Sequence, residues 1–512
     1  RDWSSDVCSS DLPSNLTIAA GNSGVSPAFT VRPGSVTTGN IEAAGVTINA
    51  TQGAITVGNI GAVARASGVT LTANEASSVS GAIAAGNITA ASLNTTSRLN
   101  STKIGNVDVT GSANLTSENT VTLGDVTAQS LTVTTSFTSQ RPTITTNNIK
   151  GVQTLSLSGS TTTINGTVTG DPAGKGKITI NASGQLTITG GAVTAGDGST
   201  IDVTNGGASA FAFTNLNSGA AGTVKVTSGN GIQQNTGGTG ITGVTVELNA
   251  ANPTGSILQA GGDGKLDIAG TQKLTVNAGG PVAIDGNGSI LTDLTLSKTQ
   301  APSAAAFGLS NLGGGQVVTL GGGADLALTV QSAANPLNFT LDYNVAKSNI
   351  ALAGAGINSG GGNVSVTVSG TSGTFDGTTG GIVTAGAKGS GAVTINTQGL
   401  LTTGAIDTTP GGVGTIGGIQ LASQNGVTVN AKVNAGAGAS GGINISNNKG
   451  AVSRAGAGDL IADAVTIIAG TSNIGAAGTP LTITSPAVSL SATKVSGTGG
   501  DVFATLTNTS NL

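Results

Sequence analysis

A short Gly-Asn phrase recurs at a fixed step near the start of the chain and constrains the fold more than any other feature. Three of its four steps are 19 residues long, and the remaining step, from position 58 to position 86, is 28 residues long. A period of about 20 residues is typical of stacked repeats, and the long step indicates the same unit with an insertion. The five copies of the phrase are Gly39-Asn40-Ile41, Gly58-Asn59-Ile60, Gly86-Asn87-Ile88, Gly105-Asn106-Val107 and Gly124-Asp125-Val126.

Apolar residues return at fixed places inside each unit. Seven positions after the glycine stand Val46, Leu93 and Leu131, whereas the fourth unit has Ser112 there and Leu115 three residues later. Apolar doublets with a period of two and β-branched residues indicate short strands rather than helices. Glycine and asparagine suit the bends because both tolerate positive φ. One unit cannot bury its apolar residues alone, so the pattern predicts an all-β parallel β-solenoid, in which each strand pairs with its equivalent one coil away.

The asparagine of the phrase is interpreted as a structural residue. Stacked at one corner of the coils, the amides of Asn40, Asn59, Asn87 and Asn106 can bond along the stack and satisfy backbone groups of the bends. Ligand binding by the same asparagines is the less favoured alternative. The phrase therefore predicts an asparagine ladder along one edge of the solenoid.

The composition is that of a folded chain with few reactive groups. The 512 residues include 85 Gly and no His, and 8% of them are charged, against about 25% in an ordinary globular domain. A net charge of −4 opposes a nucleic-acid partner, which needs a basic face. No run of about 20 apolar residues occurs, so no transmembrane helix is expected. With 1 Cys, disulfides do not hold the fold together.

Changes in composition and repeat pattern divide the chain into four stretches. Residues 1–12 carry the only Trp and the only Cys and resemble a translated adaptor sequence, so they are interpreted as a non-native segment. A genuine N-terminal arm is the alternative. Residues 13–297 and 349–512 are predicted to be two solenoid sections, and residues 298–348, with clustered Gly and Pro, an irregular bend or broadened coil. Because position 1 is not Met, the chain is expected to be an internal fragment.

The sequence offers no candidate catalytic, cofactor-binding or metal-binding residue. Without histidine, the usual general base and metal ligand is missing. Loops 262–267 and 285–289 faintly resemble calcium loops but lack the full ligand pattern, and together with Asp197 they are interpreted as solvated turns. Phe211 and Phe213 are expected to fill the interior of a wide coil, with ligand stacking as the alternative.

The second predicted solenoid section resembles a known family. The resemblance rests on segments 400–407 (LLTTGAID), 418–421 (GIQL), 424–429 (QNGVTV), 441–446 (GGINIS), 473–475 (NIG), 478–483 (GTPLTI) and 500–503 (GDVF). These are similar to the repeat region of filamentous-haemagglutinin-like large exoproteins, the adhesins of two-partner secretion and related autotransporter passengers. The general texture of residues 34–300 resembles the same family.

The resemblance implies both an architecture and a role. The architecture is an elongated, right-handed parallel β-helix that is exported through an outer-membrane β-barrel transporter. The role is that of a structural, adhesive protein, secreted or at the cell surface and associated with the outer membrane of a Gram-negative-type bacterium. Its partner would be a surface receptor or glycan, and no enzymatic activity or cofactor is expected.

Two other classes of protein stay open. A polysaccharide-acting β-helical enzyme would need clustered carboxylates, or a basic residue with calcium, on one face, whereas the 19 Lys and Arg residues are scattered. A surface-layer or ice-binding solenoid would show a flat Thr-x-Thr face, and we expect that Thr does not fall in register over many coils. The sequence therefore favours the structural, adhesive interpretation.

Overall fold

In the computed structural model every regular element of the described residues is a β-strand, and the predicted all-β solenoid of stacked parallel sheets is confirmed. The chain forms two compact units, Arg1–Gly243 (unit 1) and Val244–Leu512 (unit 2). The right-handed winding stays a prediction, and the predicted non-native segment 1–12 lies outside the described residues. The described residues are 15–18, 29–31, 34–50, 53–74, 81–98, 100–136, 141–173, 175–250, 252, 254–298, 307–321, 325–344, 349–387, 389–409, 416–436, 442–470, 472–485, 489–494 and 500–508.

Unit 1 has three parallel sheets. From Ile83 onward each coil adds a short strand, a second short strand and then a long strand, whereas in the earlier described coils isolated bridges at Ile41 and Ile60 stand in place of the second short strand. The first short-strand sheet contains Asn15–Ile18, Ser35–Thr38, Ile55–Val57, Ile83–Ala85, Thr102–Ile104, Val121–Leu123, Thr143–Thr146, Thr161–Ile164 and Leu186–Ile188. Phe211–Phe213 and Gly231–Gln234 follow it in the chain and pair with each other in a separate sheet. The second contains Ile88–Ala90, Val107–Val109, Val126–Thr127, Ile149–Val152, Val168–Gly170, Ala192–Thr194, Asn215–Asn217 and Gly240–Thr242. The long-strand sheet contains Phe29–Val31, Gly45–Ala50, Gly68–Ala73, Leu93–Ser97, Ser112–Ser117, Ser130–Thr135, Thr154–Gly159, Lys177–Ala182, Thr200–Asn205 and Thr223–Ser228.

Alternation within the strands places apolar side chains inside each coil. In Gly45–Ala50, the side chains of Val46 and Ile48 are buried, while the residues between them are partly exposed. Val46 pairs with Val69 and Ile48 with Leu71 of the next coil, so branched apolar side chains stack along the interior. Burial of one such side chain stabilises the fold by about 1.5–3 kcal/mol. The interior therefore fixes which residues of each strand face out.

The long repeat step is an insertion that lies outside the paired strands. Gly45 pairs with Gly68, although Gly45 follows Gly39 by 6 residues and Gly68 follows Gly58 by 10. The step is longer than the regular one by 28 − 19 = 9 residues. Four of the 9 extra residues precede the long strand Gly68–Ala73, and the other five lie between that strand and Gly86. The strands themselves keep their register.

The fourth repeat is offset by one residue within its coil. Ala113, rather than Ser112, pairs with Leu93 on one side and Leu131 on the other, and Ala113 is fully buried. Leu115 then stacks between a buried threonine and Val133. The apolar position that the sequence lacked at Ser112 is thus filled by its neighbour.

The predicted asparagine ladder is confirmed, and it extends beyond the four asparagines of the phrase. In each coil the side-chain Oδ1 accepts a hydrogen bond from the backbone N–H of the equivalent residue one coil later. The rungs join Asn59 N to Asn40 Oδ1 (2.8 Å), Asn87 N to Asn59 Oδ1 (2.8 Å), Asn106 N to Asn87 Oδ1 (2.8 Å), Asp125 N to Asn106 Oδ1 (2.9 Å), Asn148 N to Asp125 Oδ1 (3.1 Å) and Thr167 N to Asn148 Oδ1 (3.1 Å). Each rung satisfies a corner donor that belongs to no sheet.

The glycine of the phrase is required by close approach, not by positive φ as the sequence suggested. Neither Gly58 nor Gly105 has a positive φ. A Cβ on Gly58 would lie 2.5 Å from Asn40 Oδ1, and a Cβ on Gly105 would lie 2.5 Å from Asn87 Oδ1. The asparagine of one coil thus occupies the space that a side chain of the next glycine would need, and the two residue types recur as one phrase.

Unit 2 has its own long-strand sheet, with the other strands on the remaining sides of its coils. The long-strand sheet contains Thr245–Ala250, Lys273–Ala278, Asp293–Lys298, Asn338–Tyr343, Val364–Val368, Val393–Thr397, Ile419–Ser423, Gly442–Asn447, Ala464–Ala469 and Ser489–Lys494. The other sides contain Ser256–Gln259, Leu266–Ala269, Val282–Asp285, Phe307–Ser310, Val317–Gly321, Asp325–Gln331, Asn349–Asn358, Thr374–Asp376, Ile382–Val383, Leu401–Thr403, Ile406–Asp407, Val427–Val429, Val433–Gly436, Val452–Arg454, Asp459–Ala462, Leu481–Ser485 and Ala504–Asn508. A two-stranded antiparallel ribbon contains Ala385–Gly386 and Gly389–Ser390.

The stretch that the sequence marked as irregular, 298–348, contains antiparallel pairing. Phe307–Ser310 pairs antiparallel with Val317–Gly321, which pairs antiparallel with Asp325–Gln331. The latter strand then pairs in parallel with the ten-residue strand Asn349–Asn358. A reversal of chain direction is thus inserted on one side of the coils, while the long-strand sheet continues in parallel.

Candidate binding surfaces

Two of the outward columns on the long-strand sheet of unit 1 consist mostly of short polar side chains and are here called the hydroxyl–amide face. Paired residues of successive coils stand in the same column because the strands are in register. The first column is Thr47, Thr70, Asn94, Asn114, Thr132, Ser156, Thr179, Asp202 and Lys225. The second is Asn49, Thr72, Thr96, Thr116, Thr134, Ser158, Asn181, Thr204 and Thr227.

The expectation that Thr does not fall in register over many coils holds for the Thr-x-Thr pair, which occurs on this face only at Thr70/Thr72 and Thr132/Thr134. The mixed columns of Thr, Ser and Asn were not expected. The sequence spacing between equivalent residues varies from coil to coil, which hid the columns. Buried positions set the register with a period of two, since a slip of one residue would turn the apolar set outward. The length differences fall between the paired strands, so residues at unequal sequence distances still stand directly above one another.

The hydroxyl–amide face is a regular two-dimensional lattice of hydrogen-bonding groups. Coils repeat every ~4.8 Å, and outward residues of one strand are separated by about 6.6 Å, twice the rise per residue. From Thr47 to Ser158 both columns are uncharged, and the first charged members are Asp202 and Lys225 at one end. Neighbouring side chains also bond along a column, as Asn114 Nδ2 does to Asn94 Oδ1 at 3.2 Å.

Unit 2 has a shallow groove of about 280 Å³ on the outward side of its long-strand sheet, here called the amide groove. Its lining residues are hydroxyl-bearing, amide-bearing or small and apolar, and all are uncharged. They are Thr367, Val368, Asn396, Thr397, Gln398, Ala422, Ser423, Gln424, Ser446 and Asn448.

The amide groove arises from one small residue beside a ridge of long ones. Asn396, Ala422 and Ser446 stand in one outward column, and Ala422 leaves the floor low between its neighbours. Just beyond the strand ends, Gln424 and Asn448 stand along one side, where Asn448 Nδ2 donates to Gln424 Oε1 at 2.6 Å. The register of four consecutive coils thus creates a concavity that no single repeat contains.

The acidic loops are turn structures in which the carboxylate is engaged by the protein. Asp285 is 8% exposed, which corrects its interpretation as solvated, and its carboxylate accepts from the backbone N–H of Asn287 at 2.9 Å and from Asn311 Nδ2. Asp263, which is exposed, accepts from the backbone N–H of Lys265 at 3.0 Å. Throughout the described stretches of chain, no three His, Cys, Asp or Glu side chains converge as a metal site would require.

Two titratable side chains have shifted pKa values, each for a local reason. The Gln153 amide and the backbone N–H of Ala173 both donate to Asp171 at 3.0 Å, and they hold the pKa of this carboxyl below its ordinary value. Burial lowers the pKa of the Lys298 amino group, whose Nζ lies 3.5 Å from the Gly280 carbonyl oxygen. Both shifts follow from neighbouring strands and loops of the solenoid.

The two phenylalanines lie in the interior, as expected. Phe211 and Phe213 are fully buried, and their ring centroids are 5.8 Å apart with an interplanar angle of 22°. They pair with Ile232 and Gln234 of the next coil. The rings therefore form part of the core and are not available for stacking on a ligand.

Sequence reasoning named no binding residue, so both surfaces described above were missed. The signal for the hydroxyl–amide face was present as Thr, Ser and Asn at alternate positions of the long strands. The groove has no comparable signal in the sequence. Ala422 can be recognised as its floor only from the pairing with Asn396 and Ser446, which the sequence does not give.

Comparisons with known proteins give no relative from which a function could be transferred. No protein-family model, no curated protein and no solved structure matches the chain. Within the residues that the structure places, no helix is long and apolar enough to cross a membrane. The class defined by the coordinates is a β-solenoid protein with polar outward faces.

Proposed function

We propose that this chain is a structural, adhesive exoprotein whose stacked coils present binding surfaces to other cells or to glycans. The observation that carries the proposal is the hydroxyl–amide face of unit 1. Hydroxyls and amides both donate and accept hydrogen bonds, as do the hydroxyl groups of polysaccharides. A lattice of such groups at a fixed spacing suits many weak contacts made together, which raise the overall affinity without a deep pocket.

The proposal extends to location and export. The resemblance of residues 349–512 to filamentous-haemagglutinin-like exoproteins supports secretion or cell-surface display by a Gram-negative-type bacterium, with an outer-membrane transporter as export partner. Protease treatment of intact producing cells tests this, because a displayed protein is digested while a cytoplasmic control is spared. Protection of the chain in intact cells, together with none in the medium, would contradict it.

Adhesion can be tested with a pair of matched double variants of the full chain. Thr96→Lys with Thr132→Lys places two long charged side chains on the hydroxyl–amide face. Thr122→Lys with Thr145→Lys makes the same change on the first short-strand sheet, where these two residues also stand in one outward column. Retention on insoluble cellulose, insoluble chitin and cultured epithelial cells is measured for all three proteins.

The proposal expects the unchanged chain and the control pair to be retained on at least one of these surfaces, and the face variant to be released. Equal retention of both variants would remove the face from the adhesive role. No retention on any of the three would contradict adhesion itself. The proposal includes no catalysis, so incubation with pectin or alginate should create no new reducing ends, and sustained cleavage would overturn that part.

A second candidate function is binding to an ordered solid such as ice. The specific observation in its favour is the in-register Thr, Ser and Asn lattice, which the sequence did not predict. A different assay separates this function from adhesion. Ice binding expects thermal hysteresis and ice-crystal shaping by the unchanged chain, lost in the face variant and kept in the control. Ordinary crystal growth in the presence of the unchanged chain would dismiss this candidate.

A further inference from the structure

We propose that the amide groove of unit 2 binds a neutral oligosaccharide that lies along the stacking direction of the coils. The strands that hold the groove are Val364–Val368, Val393–Thr397, Ile419–Ser423 and Gly442–Asn447. The proposal names a site and a ligand class for the adhesive function and rests on that function. It concerns a surface different from the one that carries the adhesive proposal.

The lining of the groove selects for an uncharged ligand. All ten lining residues are uncharged, and none is aromatic. An anionic ligand would lose hydration without gaining a cationic partner. Pockets for apolar ligands are lined mainly by apolar and aromatic side chains, whereas this one is lined mainly by hydroxyls and amides. A neutral ligand rich in hydroxyl groups fits this chemistry.

Several of the lining groups are available for such a ligand. The side-chain amides of Asn396 and Gln398 and the hydroxyls of Thr367 and Ser446 make no hydrogen bond to any residue that the structure describes. Gln398 and Ser446 are exposed, and Asn396 and Thr367 are partly exposed. Amide and hydroxyl groups donate as well as accept, so they match sugar hydroxyls in either sense.

The direction of the ligand follows from the repeat of the coils. Asn396, Ala422 and Ser446 are stacked along the solenoid, and the three steps across the four strands cover about 14 Å at ~4.8 Å per coil. The rise of ~4.8 Å per coil is close to the length of one pyranose unit in an extended β-linked chain. An extended oligosaccharide can therefore place one ring against each coil, which a curled chain of the same length cannot do.

The experiment titrates the full chain with soluble tetrasaccharides by isothermal calorimetry, with ligand-observed nuclear magnetic resonance as a second readout. Cellotetraose is the extended neutral probe, maltotetraose is the curled neutral probe, and tetragalacturonate is the charged probe. The proposal expects cellotetraose to bind in the millimolar range, as a shallow polar site allows, and the other two to bind at least about tenfold more weakly.

Three variants locate the site. Ala422→Gln raises the groove floor from an outward position and is expected to weaken cellotetraose binding by about tenfold. Gln398→Ala removes one lining amide without adding volume and is expected to weaken cellotetraose binding by a smaller factor. The matched control is Thr295→Gln, on the same sheet between Thr275 and Thr340 and outside the groove, and it should bind as the unchanged chain does. Circular dichroism checks that each variant is folded.

Each outcome separates this inference from the adhesive proposal. Unchanged cellotetraose binding in both Ala422→Gln and Gln398→Ala, equal loss in Thr295→Gln, or equal binding of tetragalacturonate would overturn the groove assignment. No binding of any tetrasaccharide, with retention on insoluble surfaces intact, would overturn the groove and leave adhesion standing. Loss of retention in the unit 1 face variant with normal cellotetraose binding would support both.

Discussion

Replacement of Gly105 by alanine tests the physical reason for the Gly-Asn phrase. The new Cβ would lie 2.5 Å from Asn87 Oδ1 and 3.1 Å from the carbonyl carbon of Gly86. The first contact is too short, so the asparagine side chain or the backbone must move. If Asn87 Oδ1 moves away, it loses the 2.8 Å hydrogen bond from the backbone N–H of Asn106.

The expected loss of stability is about 0.5–4 kcal/mol, the sum of three contributions. Overpacking of a tight site costs roughly 1–3 kcal/mol, and the lost hydrogen bond costs about 0.5–1.5 kcal/mol. Alanine offsets about 0.4–1 kcal/mol of this by reducing the freedom of the unfolded chain. The matched control is Gly39→Ala, in the first copy of the phrase, where a Cβ meets no atom of any described residue within 4 Å and φ is not positive. At Gly39 only the reduced freedom of the unfolded chain acts, so the free energy of unfolding should rise slightly.

A double-mutant cycle isolates the contact itself. Asn87→Ala alone should cost about 1 kcal/mol through the lost hydrogen bond. In Gly105→Ala with Asn87→Ala, the atom that blocks the new methyl group is gone, so the combined loss should fall below the sum of the two single losses by about 1 kcal/mol. Urea unfolding followed by circular dichroism gives the global values. Hydrogen exchange of peptides covering residues 86–124 gives local ones, because repeat proteins can open coil by coil. Additive losses, or an unchanged Gly105→Ala protein, would refute close approach as the reason for glycine.

Three further predictions concern single interactions. The buried hydroxyl of Thr102 has no hydrogen-bond partner in the described structure, so Thr102→Val should raise the free energy of unfolding by about 1 kcal/mol. The control, Thr122→Val at an outward position, should change it by less than about 0.5 kcal/mol. Urea titration measures both values. Burial lowers the pKa of Lys298, so between this lowered pKa and the ordinary lysine pKa of 10.5 the folded state binds fewer protons than the unfolded state. The free energy of unfolding should therefore rise with pH in that window. In Lys298→Met this rise should be absent. Asn59→Leu with Asn106→Leu removes two ladder acceptors and should lower the melting temperature; unchanged melting would count against a stabilising ladder.

Features of the chain that repeat in sequence could be predicted, because stacking needs only an equivalent residue one coil away. The asparagine ladder is the clearest case, since Asn40, Asn59 and Asn87 stand at the same place in their units and bond as expected. The reason for the neighbouring glycine could not be predicted in the same way. Positive φ and close approach both favour glycine. Only the φ of Gly58, which is not positive, and the 2.5 Å between an added Cβ and Asn40 Oδ1 distinguish them.

The outward surfaces could not be predicted, because their order depends on pairing and not on sequence distance. Thr72 pairs with Thr96 of the next coil, and the chain between them contains part of the insertion. A search for a fixed sequence period therefore does not align these two residues. The floor of the amide groove has the same origin, since Ala422 lies 26 residues from Asn396 and 24 from Ser446. Alternation along each strand was visible, but the vertical order required the register.

The register that the core imposes is also what makes the two surfaces testable. In a strand with one buried side, inward residues fix the pairing, and the outward residues follow it. Thr132 lies between the buried Leu131 and Val133, and Ala422 lies between Leu421 and the buried Ser423. An outward substitution therefore changes the hydroxyl–amide face or the groove while the interior that holds the coils in register is kept. A loss of binding in such a variant reports on the surface, provided that its hydrogen-exchange pattern matches that of the unchanged chain.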